Sequence, residues 1–214
     1  MCWNAEVSLN TFLFSGFILL LIIYNNEYTK YKIEELNNKW AYLFFASFIF
    51  MQLFEYFIWK NINNPYYNNI FSICATILLL LQPIASLMLL SNIQLRNVLL
   101  MIYMSLSIPY SIYKFPERRI QSIKGESGHL RWVFLKVPDS IFIIWVFFFL
   151  FSLLYEKVWL AFIFGLGTLI ISYIKYKKDN TYSSMWCWIV NSIMIYYAFY
   201  LLLYLPFLEK PRIC

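Results

Sequence analysis

Residues 40–59 read WAYLFFASFIFMQLFEYFIW. A helix of that length rises about 30 Å, the thickness of a bilayer's hydrocarbon core. Tryptophan closes the stretch at both ends, Trp40 and Trp59, where indoles anchor at membrane interfaces. The stretch decides the fold class, because nothing so long and apolar fits a small soluble core. It also holds one anomaly, the carboxylate of Glu55 with the amide of Gln52 one turn deeper on the same helical face.

Six further runs resemble it. The chain has 214 residues, of which 62% are hydrophobic, 22% aromatic and 13% charged. Soluble domains are about half apolar and about a quarter charged. Seven spans are predicted: Val7–Tyr24, Trp40–Trp59, Asn69–Leu90, Val98–Tyr113, Ser140–Leu154, Val158–Ile174 and Met185–Phe207. They read as helices, since lipid offers the backbone no partners and the alternating short segments of a barrel are absent. Val7–Tyr24 lacks a basic leader and a small-residue cleavage site, so it reads as a span. The weakest boundary is Tyr155-Glu156-Lys157, which must turn for the count to be seven. The expected fold is therefore an all-α, polytopic seven-helix bundle forming one domain over residues 1–214, with the lipid bilayer as its partner. Trp40, Trp59, Trp159 and Trp186 are expected as interfacial anchors.

Seven spans put the termini on opposite sides. The N-terminal side, called side A, carries ten Lys and Arg, and the other, side B, seven. Six of side A's ten lie in the single long loop 114–139, so the positive-inside rule does not orient the chain. The net charge of +6 is spread over loops and points to no nucleic acid. Within the long loop, RIQSIK and HLRWVFLKV flank GESG, the pattern of a short hairpin. Its second arm would turn Leu130, Trp132 and Phe134 one way and His129, Arg131 and Val133 the other. A lid over the bundle mouth and an irregular loop are both open readings.

Glu55 lies four residues, about 6 Å, inside the side-A end of its span. A carboxylate in lipid costs several kcal/mol unless paired, protonated or hydrated. It reads either as a proton, ion or polar-solute site, or as a side chain snorkelling to the interface. Asn10, Cys74 and Asn191 fall at comparable predicted depth and would complete a polar layer, or serve as interhelical glue. Gln82 precedes Pro83, which cannot donate to the Leu79 carbonyl, so a kink is expected there. Ala161 and Gly165 form a small-xxx-small pair, expected at a close helix contact. Cys2 and Cys187 share side A, and two readings stay open: a disulfide if that side is lumenal or extracellular, free thiols if it is cytosolic. No cofactor and no metal site is expected: His129 is the sole histidine, and no ligand pair has metal-binding spacing. The absence of a P-loop, a potassium filter and a nucleophile elbow leaves enzyme as the less favoured class.

The opening MCWNA, together with FMQLFEYF, LLLQPIASL, GHLRW and WCW in that order, resembles an uncharacterised family of small seven-span membrane proteins. Those proteins begin Met-Cys-Trp-Ser/Thr-Ala and occur in bacteria, fungi and large DNA viruses. The abundance of Phe, Ile, Lys, Tyr and Asn, with AT-rich codons, suits a viral or parasite genome. The resemblance implies that Cys2, Trp3, Glu55, Gln82, His129, Trp132 and Cys187 are site positions. Extra cysteines in the long loop of some members imply an outward side A and N-terminus; this chain has none there. The combined expectation is a receptor-like or small-solute/ion-handling module with a side-A pocket for a small polar or ionic ligand. Glu55 would be its acid, Gln82 its floor and the hairpin its lid. A structural or assembly membrane protein and a membrane-embedded enzyme are the alternatives.

Overall fold

The protein, described by a computed structural model over residues 4–114, 120–135 and 137–208, is a bundle of seven helices. They are α1 (Ala5–Tyr28), α2 (Lys39–Lys60), α3 (Pro65–Leu87), α4 (Ile93–Lys114), α5 (Asp139–Tyr155), α6 (Trp159–Tyr176) and α7 (Tyr182–Leu208). Six are long and apolar enough to cross a membrane, and α5 is an apolar helix of 17 residues. Asparagines start the first three. Asn4, Asn38 and Asn64 each accept a backbone N–H of the first turn, and Pro65 takes the first position of α3.

The doubtful boundary is a real break. Lys157 adopts φ 60°, which ends α5 and turns the chain into α6. Its neighbour Glu156 accepts the backbone N–H and the hydroxyl of Ser91, tying two side-B loops together. Elsewhere the helix ends shift from the apolar runs: α3 begins early at Pro65 and stops early at Leu87, and α4 begins early at Ile93. The last span is interrupted at Asn191 and Ser192 and carries a π-helical turn at Tyr200–Tyr204.

α2 packs between α1 and α3, α3 against α5, and α6 against the first turns of α7. The small pair on α6 lies at such a contact. Ala161 is buried, and a Cβ on Gly165 would meet the Leu150 side chain at 3.3 Å. The Gly165 carbonyl accepts the indole N–H of Trp186 at 3.0 Å. Trp186 is therefore not an interfacial anchor: it is 3% exposed and its ring meets Trp145 and Phe149. α3 runs on through Pro83. The Leu79 carbonyl that proline cannot serve accepts the Trp145 indole N–H instead, at 2.9 Å.

The long loop contains a β-hairpin, β1 (Ser122–Lys124) and β2 (Leu130–Trp132), antiparallel with Ser122 opposite Trp132. Gly128 takes φ +82° at its turn. Leu130, Trp132 and Phe134 point into the bundle, as the alternation required.

Candidate functional site

The site is built on one face of α2. Met51, Gln52, Glu55 and Ile58 recur at helical spacing and are buried, and Trp59 packs half-buried beside them. Gln52 and Glu55 are both 0% exposed. Around them Ala75 and Leu79 of α3, Leu130 and Trp132 of β2, and Met185 and Cys187 of α7 form one apolar cluster with Met51 and Ile58. Glu55 has no exposed surface, so its head is not held out into water. Both amide atoms of Gln52 and the indole N–H groups of Trp59 and Trp132 are buried with no hydrogen-bond partner among the described residues. Each such orphan costs about 1–3 kcal/mol.

The hairpin is clamped over this cluster. The Asn68 amide pairs with both backbone groups of Ser122, donating to its carbonyl at 2.8 Å and accepting its N–H at 2.9 Å. Ser72 meets the Ser122 hydroxyl at 3.1 Å, and Asn69 donates to the Ile120 carbonyl at 2.9 Å. At the turn, Asp179 accepts the backbone N–H groups of Glu126 and Ser127 and the Ser127 hydroxyl. Gly125 permits this: a Cβ there would stand 2.6 Å from the Asp179 carboxylate. Burial alone would raise the Asp179 carboxyl, but the hydrogen bonds from Ser127 and Glu126 outweigh it and hold it below the usual aspartate range. His129 stands edge-on to Tyr176, and burial pushes its imidazole below the ordinary value.

The other expected site residues are dispersed. Asn10 is exposed on α1 and Cys74 is half-buried on α3. Asn191 is buried, but its amide donates to the Cys187 carbonyl at 2.7 Å and to that of Phe48 at 3.4 Å. Phe48 lies two turns below Glu55, so Asn191 braces the break in α7 beneath the Glu55 level. Gln82 is buried near the side-B end of α3, about 26 Å along the helix from Pro65, and is no floor to a shallow side-A pocket. Trp132 is buried and stacked on Phe134, and Cys187 is a buried free thiol. Cys2, Trp3 and Cys214 lie outside the described residues. Among the described residues no three His, Cys, Asp or Glu gather as a metal site.

Asn68, Ser72 and Asp179 are absent from the sequence reading. Asn68 sits just outside a predicted span, and Asp179 in a charged tract that reads as solvated loop; only the tertiary contact gives either a role. Comparison with protein-family models, curated proteins and solved structures finds no match.

Proposed function

We propose that this multi-pass membrane protein is a non-enzymatic small-ion module in which Glu55 takes up and releases a proton beneath the side-A hairpin. One observation carries the reading: a carboxylate and an amide, each with no exposed surface, share a helical face within an apolar cluster. Intramembrane acids are costly and mark ion paths. A cavity against Cys187 and Trp132 of this cluster is only about 10 Å³, about what one water needs. That size favours a proton over a larger solute. Opening of the hairpin is the step that lets it in, and the orphaned donors of Gln52, Trp59 and Trp132 receive the water that accompanies it.

In the same reading side A faces outward, as the family resemblance implies. An impermeant maleimide would then label Cys214, made the sole cysteine, only after permeabilisation. The activity itself is tested in proteoliposomes holding a pH-sensitive dye. Wild-type protein is expected to pass protons down an imposed gradient. Glu55→Gln, which keeps the shape and removes the proton site, is expected to cut the rate about a hundredfold or more, as the loss of a proton-transfer group does. Equal rates in the two would leave Glu55 a structural group.

A further inference from the structure

α4 is the outlier of the bundle. Among its residues only Tyr103 is buried, and it packs chiefly against α3. Between α3, α4 and α5 it leaves a cavity of about 280 Å³, walled by apolar side chains such as Leu80, Phe142 and Trp145. Leu106 and Ile144, on opposite walls, are 50% and 42% exposed, so the cavity is a groove open sideways between α4 and α5. An apolar recess with few polar groups holds little water. In a bilayer its neighbour is hydrocarbon.

Most polar groups of the groove lie on its α4 wall. Tyr103, Ser107, Tyr110, Ser111 and Lys114 recur at helical spacing and all line it. Tyr103 is satisfied, donating to the Leu80 carbonyl at 2.8 Å. The Tyr110 hydroxyl is buried with no hydrogen-bond partner among the described residues. Lys114, the last residue of α4, brings a positive charge to the side-A end, its ammonium 4.6 Å from the Tyr113 ring centre. With one wall largely apolar from α3 and α5, the α4 wall hydroxylated and a cation at the rim, the groove has the polarity of an anionic amphiphile.

We infer that this groove binds one anionic phospholipid, its acyl chain against Phe142 and Trp145 and its phosphate at Lys114, one helical turn from Ser111. The lipid completes the packing of α4 that the protein leaves undone. The site is separate from Glu55, which does not line the groove.

The test uses the full-length protein in phosphatidylcholine nanodiscs containing a minor share of phosphatidylglycerol. After release into mild detergent, bound lipids are identified by native mass spectrometry. The expected result is one retained phosphatidylglycerol, enriched about fivefold over its share, the preference one lysine near an anionic phosphate gives. Lys114→Gln is expected to abolish the preference while one lipid stays bound. Ser107→Phe is expected to fill the groove and remove the lipid. Should that variant not fold, Ile144→Phe narrows the groove from the opposite wall with the same expected loss, and Glu55→Gln is expected to leave retention unchanged. Retention unaffected by a folded wall variant, or a wild type that holds no lipid above its share, would overturn the inference. So would displacement of the lipid by glycerol phosphate alone, which would mark a site for a free phosphate ester.

Discussion

α2 and α4 are both 22 residues long and both apolar, yet they occupy opposite ends of the packing range. α2 buries ten residues, among them Gln52 and Glu55; α4 buries Tyr103 alone. The difference lies in neighbours rather than composition. α2 is enclosed by α1, α3, α7 and the hairpin's cluster, so its polar groups sit in a dry interior. α4 has α3 on one flank, so its hydroxyls line a groove that reaches the lipid. A polar residue in a span thus signals interior chemistry or a surface recess according to what packs against it. Hydropathy alone does not separate the two.

The contrast is broken most directly at the hairpin that closes the α2 site. Asn68→Ala leaves the Ser122 N–H and carbonyl as buried orphans, at about 1–3 kcal/mol each. Hairpin docking is expected to weaken by about that amount. A cysteine at position 55, introduced as Glu55→Cys with the native cysteines removed, is expected to resist an impermeant maleimide while the hairpin is intact. It is expected to label when Asn68→Ala is added. Fast labelling with the clamp in place would mean the site is open already. Gly125→Ala is expected to loosen the same hairpin from its turn, because the new Cβ overlaps the Asp179 carboxylate.

A smaller effect belongs to the helix that joins the two regions. Trp145→Phe keeps the ring in the core but leaves the Leu79 carbonyl opposite Pro83 without its donor. A loss of about 1–2 kcal/mol is expected, read as a lowered Tm in detergent. An unchanged Tm would mean that another group serves the carbonyl. The matching change in α4, Tyr103→Phe, removes the bond to Leu80 and is expected to cost less, about 0.6 kcal/mol, as interhelical bonds in membranes average.

The smallest expected effect is the pH dependence of the hairpin. Burial in the docked hairpin lowers the His129 value, so its contribution is full above the ordinary histidine value near 6.5 and falls as pH drops below it. Asp179 is held ionised by its hydrogen bonds, so its contribution is present above about pH 4 and is lost as pH falls through its lowered value. Amide exchange at Gly125 and Val133, corrected for intrinsic rate, is expected to rise in those two stages on acidification. His129→Phe is expected to remove the first stage, and Asp179→Asn the second.

Much of the bundle was legible in the sequence because hydropathy and helix length are local properties. The seven runs, the turn at Tyr155–Lys157, the small pair on α6 and the alternation of Leu130, Trp132 and Phe134 all belong to that class. The polar layer was not legible. Depth counted along a span says nothing of rotation, so Asn10 faces outward and Asn191 braces α7 below Glu55. Run ends also mislead: α3 gains an asparagine-capped turn before its apolar stretch, which moves Gln82 to the far end of the helix. The Asn68 and Asp179 clamps depend on contacts 54 and 52 residues away in sequence, beyond any local pattern. The Trp145 bond to Leu79 is of the same kind: Pro83 exposes the need in the sequence, and only the fold shows the donor.

The proton at Glu55 is open to direct observation by infrared difference spectroscopy of the reconstituted protein across a pH step. The carbonyl stretch of a buried carboxylic acid appears apart from those of ionised carboxylates and backbone amides. A titrating band of that kind in the wild type, missing in Glu55→Gln, is the predicted result. Identical difference spectra for the two proteins would contradict a proton site at Glu55.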